Sequence, residues 1–464
     1  METVGDWIVR HEGEFLEDLK RWIRYPSISR KGEAGYPFGK ACYDMLREAL
    51  ACAQRFGLST RDFDGYCGTA SIPGRTRDAI GLFSHLDVVP EGSGWWHDPY
   101  TMSVKHGMIC GRGCADDKGP ALAALYALRY LLGTGCKFRH SISLFFGCNE
   151  EAGMEDIGYY VKREESLPVF SLVTDGKFSA CVGEKGHIIV RASRPVNGHY
   201  LLSFSTGDVP NSVPDKAEAH LAWPLEKVEK ALQGRGIPFA AHPLREGFTC
   251  LTVQGRSAHA AFPEGSLHAQ KQLACLLCGS GLLDAEEEQA LQAVAAFLED
   301  DYGTGLGIAY QTPEFGKLTM ISGITRWEEN QFTVVFDIRY PVGFPTTWAQ
   351  EKMESKLKSW GFSLESWRDS PGYYRDPSLP VLQEIKRIAE RVWERELPFY
   401  VMGGGTYARM LPNAVPFGPG LPGAAGREMV GRAHQANEGI RLEELEKGIE
   451  IYVETLLALD RILN

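Results

Sequence analysis

Apolar positions come in two textures along the chain. Up to about residue 185, short unbroken apolar runs such as 79-AIGLFSHL-86, 141-SISLFF-146 and 171-SLVT-174 alternate with the helical stretch 120-PALAALYALRYLL-132. An amphipathic helix over about 13–24 precedes them. Alternating buried strands and helices predict an α/β unit on a mostly parallel, twisted sheet flanked by helices. From about 186 to 395 the strands lengthen, as in 248-FTCLTVQG-255, 317-KLTMISGITRW-327 and 331-QFTVVFDIRYPV-342, with long amphipathic helices at 284–300 and 346–360. This predicts an α+β domain over 186–395 inserted into the first, which then occupies 1–185 and 396–464. The last segment reads as a strand into a glycine turn, 398-PFYVMGGGT-406, and a closing helix, 441-RLEELEKGIEIYVETLLAL-459.

Length and composition fit this picture. At 464 residues the chain exceeds one ordinary core, and 44% hydrophobic with 23% charged residues is common globular composition. The net charge of −11 repels phosphate backbones, and no basic cluster with interleaved aromatics offsets it, so nucleic acid is excluded as a partner. The start, 1-METVGDWIVRHEGEF-15, places acids where a signal peptide carries basic and apolar regions. The longest apolar helical stretch is too short for a bilayer and contains Arg129. A soluble, cytoplasmic protein with no membrane partner is expected. Eleven cysteines, an odd number in apolar surroundings, suit free thiols in a reducing compartment. The Cys275-x-x-Cys278 pair lies in an apolar helical run and reads as core thiols rather than a metal knuckle.

Functional groups of open α/β sheets gather beyond the carboxyl ends of the strands. Those places here hold His85 and Asp87 in 84-SHLDVVP-90, Asp116 and Asp117 in 111-GRGCADDKGP-120, Glu150 and Glu151 in 147-GCNEEAGMED-156, and Asp175 in 172-LVTDGKF-178. Each alone has a plainer reading: a strand-end histidine, a helix N-cap, a solvated glutamate. Together with His434 in 431-GRAHQANEGI-440, the set His85, Asp116, Glu151, Asp175 and His434 offers five hard or borderline donors without a thiol. That is too many for one tetrahedral ion and suits two ions bridged by a carboxylate, with Zn²⁺, Mn²⁺ or Co²⁺ as candidates. Adjacent carboxylates at 150 and 151 point opposite ways, so one can bind metal while the other moves a proton.

The series HLDVVP, GRGxxDDKGP, NEEAG, TDGKF, GRSAH, DIRYP, GGGTY and HQANE, in order from about residue 80 onward, resembles the di-metal aminoacylase, carnosinase and carboxypeptidase G family. Within it, the chain is similar to the PepV-type bacterial dipeptidases. The resemblance implies a catalytic α/β domain split around an inserted lid. It implies that Asp116 bridges two metals, that His85 and Asp175 complete one site and Glu151 and His434 the other, that Glu150 is the general base and that Asp87 supports His85. It further implies that lid residue His259 stabilises the oxyanion, while Asn211, Arg339 and the turn with Gly404 and Gly405 hold the substrate's terminal carboxylate. The implied activity is hydrolysis of dipeptides. An N-acyl-amino-acid amidohydrolase is the nearest alternative, and a non-catalytic metal or amino-acid binding protein a more distant one. The lid of about 210 residues implies a monomer, with a homodimer as the alternative. The segment 176-GKFSACVGEKGH-187 and the aromatics of 95-WWHDPY-100 depart from the family's pattern and bear on side-chain preference.

Overall fold

In the computed structural model, which describes residues 2–33, 35–328, 330–421 and 430–463, the chain forms two compact units. The first comprises Met1–Gly183, Arg375–Tyr400 and Thr406–Asn464. The second comprises Glu184–Tyr374 with Val401–Gly405.

The first unit is built on a six-stranded sheet. Ser141–Gly147, Ala79–His85, Phe170–Val173 and Ala414–Pro416 lie side by side and parallel. The hairpin Ser59–Phe63 and Cys67–Ile72 extends one edge antiparallel. The apolar runs of the sequence are continuous because these strands are covered on both faces, and every residue of Ala79–His85 after the first is buried. One row across the sheet is Ala70, Leu144, Leu82, Leu172 and Val415, all buried and in register. Helix Lys118–Gly133 packs against the closing helix Leu442–Ile462 and against the first helix, Val4–Ile23.

The second unit carries an eight-stranded, wholly antiparallel sheet. In spatial order its strands are Ala240–Arg245, Phe248–Gln254, Lys216–Leu221, Leu201–Thr206, Thr319–Glu328, Gln331–Tyr340, Gly186–Pro195 and Ser363–Ser370. Helices Ala269–Leu277, Ala285–Phe297 and Thr346–Ser359 share a core with one face of this sheet, which therefore alternates apolar-in and polar-out. Helix Ala285–Phe297 begins at a capping box, in which the Asp284 carboxylate accepts the Glu287 N–H and the Glu287 carboxylate accepts the Asp284 N–H.

Three expectations shift. The first helix begins at Val4, capped by Thr3, rather than near 13, because Trp7 stacks on His11 and meets Tyr126 and Tyr130 edge-on, a stripe too sparse to stand out in sequence. The second unit's main segment ends at Tyr374, not 395. Helix Pro380–Trp393 belongs to the first unit, where Arg391 pairs with Glu454 and Lys447 sits 4.3 Å above the Trp393 ring. Cys275 is exposed rather than the core thiol the apolar run implied, while half-buried Cys278 packs against the second unit's core, and all eleven cysteines are free.

Leu144→Ala removes a fully buried side chain from that row, between Ala70 and Leu82. A loss of about 2–5 kcal/mol is expected, read as a lower urea midpoint for the first unit.

Candidate metal centre

The strand ends of the first unit deliver the donors. His85 closes Ala79–His85 and is almost fully buried. Its backbone N–H donates to Asp117 Oδ2 (3.2 Å), and its ring Nδ1 lies 3.0 Å from the Asp87 carbonyl oxygen, which leaves Nε2 directed at Asp116 Oδ1, 2.9 Å away. The other Asp116 oxygen lies 3.0 Å from His434 Nε2, and that nitrogen lies 2.7 Å from Glu151 Oε1. Two groups of donors result: His85, Asp116 and Asp175, and Asp116, Glu151 and His434, each with one ligand atom per residue within 4.8 Å of the others. Asp116 belongs to both.

A set of buried acids fixes the loops that carry these donors. Asp87 meets the His85 ring at Nδ1 with its carbonyl oxygen, and its nearest carboxylate oxygen is 3.5 Å from the same nitrogen. The carboxylate accepts the N–H groups of Glu150 and Glu151, each at 3.1 Å. Asp156 takes the preceding N–H groups, Cys148 (2.6 Å) and Asn149 (2.8 Å), and also the Tyr407 hydroxyl. Gly147 makes room for that approach, since a Cβ there would lie 1.9 Å from the Tyr407 oxygen. Glu438 accepts from the backbone of Gly113, Ala115 and Asp116 (3.0–3.1 Å) and pairs with buried Arg112. Asp117, which the sequence offered as a helix cap, makes no cap bond; its carboxylate serves His85 N–H and the Thr174 hydroxyl (2.6 Å).

The electrostatics follow from crowding. Burial pushes the Glu150 carboxyl well above its usual range, and the carboxylates of Glu151, Asp175 and Asp87 push it further. Burial and then Asp116 raise Asp175 to about 7. For His434 burial opposes the charge, yet its hydrogen bonds to Asp116 and Glu151 prevail and hold it at about 11. Asp116, despite burial, is held far below the carboxylate range by His434 and His85. This is a crowd of half-buried carboxylates that favours positive charge. Glu150 Oε1 is buried with no hydrogen-bond partner.

The second unit gathers another set. His187 Nε2 lies 3.0 Å from Asp337, and Asp337 takes the Nε and Nη2 of Arg339 (2.7 and 2.9 Å), leaving Nη1 3.4 Å from the Gly403 carbonyl. Gly403 packs on Ala261 so closely that a Cβ would stand 2.8 Å from the alanine's. The Ala261 N–H donates to His259 Nδ1 (3.2 Å), placing the proton of a neutral ring on Nε2, and the Ala260 N–H donates to the Asn211 carbonyl (2.9 Å). Asn211, His259, Arg339 and the 403–405 turn holding Gly404 and Gly405 are thus linked through adjoining contacts.

The sequence profile of peptidase family M20/M25/M40 matches residues 81–458. The chain belongs to peptidase family M20/M25/M40. It is similar to "Putative dipeptidase YtjP" of Bacillus subtilis (strain 168), 29% identical over 97% of this chain and 98% of that protein. It is likewise similar to "Putative dipeptidase SAB1611c" of Staphylococcus aureus (strain bovine RF122 / ET3-1), 28% identical over 97% and 98%. Among solved structures, human carnosine dipeptidase 1 superposes with a TM-score of 0.59 at 18% identity, covering 99% of this chain and 98% of that one. The di-peptidase Dug1p of Saccharomyces cerevisiae gives 0.59 at 14%, with the same coverage. These show the shared fold.

As an M20 metallopeptidase the chain is a hydrolase, and its donors fit divalent ions: imidazole and carboxylate without thiol, in two triads with a shared member, beside an unpartnered buried carboxylate oxygen. Among the described residues no helix is long and apolar enough to cross a membrane. The sequence reading assigned no role to Glu438, Asp156, Tyr407 or Arg112, although Glu438, Tyr407 and Arg112 stand inside the quoted motifs.

Two outcomes are expected. Metal binding must displace the proton that His434 carries at neutral pH, so the metal Kd should rise about 100-fold per displaced proton from ~pH 8 to ~pH 6, with proton release seen by calorimetry in two buffers. A pH-independent Kd would contradict the donor assignment. Glu438→Gln, which loosens the Asp116 loop without touching a donor, should weaken metal binding by about 10–100-fold in equilibrium dialysis.

Proposed function

We propose that this peptidase is a dipeptidase working with two divalent ions, Zn²⁺ or Mn²⁺, with Co²⁺ as a substitute. His85 and Asp175 would hold one ion, Glu151 and His434 the other, with Asp116 shared. The observation that carries this reading is that sharing, with the unpartnered Glu150 oxygen buried among the same residues. Bound ions supply Lewis-acid polarisation of the scissile carbonyl and lower the pKa of water toward neutrality.

Glu150 is the proton carrier. Its high proton affinity, set by burial and neighbouring carboxylates, lets it take a proton from the attacking water and deliver it to the leaving amine. Its backbone is held by Asp87, so the carboxylate is aimed without spending its own oxygens. In the second unit, His259 offers a protonated Nε2 for the developing oxyanion. Arg339 Nη1 and the N–H groups of Gly404 and Gly405 would take a substrate carboxylate, joined by the Asn211 side chain. Asp337 fixes the guanidinium from the far edge, which orients Nη1. The dipeptidase reading over an amidohydrolase for N-acyl amino acids draws on the names of the similar proteins and on the full-length match to them.

The test is kcat/KM for an L-dipeptide against the N-acetyl derivative of its C-terminal residue, after loading with Zn²⁺ and separately Mn²⁺. A large excess for the dipeptide is expected; the reverse would make the enzyme an acylase. Glu150→Gln should lower kcat by about 10²–10⁴-fold while metal content stays unchanged, and full activity in that variant would refute the role of Glu150.

A further inference from the structure

The polar face of the second unit's sheet carries a cluster that the peptidase chemistry does not use. Along Lys216–Leu221, Ala217, Ala219 and Leu221 enter the core, which sends Glu218 and His220 to the opposite face. On the neighbouring strand Leu251 and Val253 are in the core, so Cys250 and Thr252 share that outer face. His220 and Cys250 are direct partners in the ladder, and Glu218 is two residues from His220 on its own strand. One donor atom from each of Glu218, His220 and Cys250 lies within 4.8 Å of the others, and His220 Nε2 is 3.0 Å from Glu218 Oε1.

The geometry points to a third divalent-cation site, of Zn²⁺ type, formed by Glu218, His220 and the Cys250 thiolate. Donors around a tetrahedral ion with bonds of ~2.0–2.3 Å stand roughly 3.3–3.8 Å apart, so the three atoms need close by only about 1 Å. The i, i+2 pair on one strand and its cross-strand partner point the same way by the pleat alone, so the backbone need not move. Lys216 engages the other oxygen of Glu218, at 3.2 Å, and can keep it. Lys216 and His220 pair with Glu218, and the buried Cys250 thiol reaches the same carboxylate from the neighbouring strand. The fourth position opens on the solvent side, where His242 of the edge strand stands opposite Cys250. Binding replaces the thiol proton, which leaves to solvent. The ion would join two strands that run directly into the segments bearing Asn211 and His259.

Cobalt distinguishes this site from the dinuclear centre, whose donors include no thiol. Titration of the intact enzyme with Co²⁺ should give a near-ultraviolet thiolate-to-cobalt charge-transfer band and one more bound ion than Cys250→Ser retains. Cys250→Ser should abolish the band with peptidase activity preserved. His220→Ala, at a half-exposed position, should weaken the band-forming event by about tenfold or more. No band at saturating Co²⁺ overturns the proposal. So does a band that survives Cys250→Ser, including one lost instead in Cys278→Ser, which would place the ion at the Cys275-x-x-Cys278 pair. Because the band depends on a cysteine, failure of the di-metal reading would leave it unchanged.

Discussion

The first unit is arranged around one electrostatic constraint: the half-buried carboxylates of Asp116, Glu150, Glu151 and Asp175 stand together. An isolated carboxylate out of water costs several kcal/mol even after relaxation, and like charges at contact add to that. The fold tolerates the crowd because two imidazoles lie among the carboxylates, each directed at Asp116 from opposite sides. The opposing shifts of Asp116 and Glu150, one driven down by histidines and the other up by burial and its neighbours, express the same imbalance. Positive charge at this point is a condition of the architecture as well as of the chemistry.

The supporting acids solve a different problem. The loops after parallel strands have backbone N–H groups with no ladder partner, and here Asp87, Asp156 and Glu438 accept them two or three at a time, while Asp117 takes the His85 N–H and the Thr174 hydroxyl. A carboxylate suits this task because it accepts several short charge-assisted bonds through two oxygens in a fixed plane. His85, Asp116 and Glu151 are thereby oriented by their backbone, so their side-chain oxygens or nitrogen would remain for an ion. Such preorganisation keeps reorganisation out of the metal-binding step.

What could be read from the sequence was local. Buried parallel strands write themselves as apolar runs, and an abrupt polar residue at their carboxyl ends marks His85, Glu150, Glu151 and Asp175 without any structure. What could not be read was the identity of distant partners. Glu438 supports a loop 322 positions earlier, and nothing in 434-HQANE-438 says which backbone it meets. Asp117 looked like a cap because a helix follows it, yet its partners His85 and Thr174 lie at the carboxyl ends of two strands. Helix Pro380–Trp393 shows an apolar face in sequence, but a face does not name what it covers, so its assignment to the inserted domain failed.

The two donor triads are supported in unlike ways, and the difference follows from where each histidine sits. His85 ends a central strand, is 1% exposed, and has its backbone N–H and its ring Nδ1 both committed, so its orientation comes from the sheet. His434 sits in a loop with a left-handed backbone (φ 67°) and a side chain 48% exposed, so no strand can orient it. Its loop is fixed instead from within, by two residues of the same motif. Asn437 accepts the Trp96 N–H and donates to the Gly94 carbonyl, while Glu438 locks onto Arg112 and the Asp116 loop. One short segment therefore brings both a donor and the anchors that register it against the shared carboxylate. That explains how a candidate donor 259 positions beyond Asp175, with the second unit's main segment in between, reaches Asp116 and Glu151.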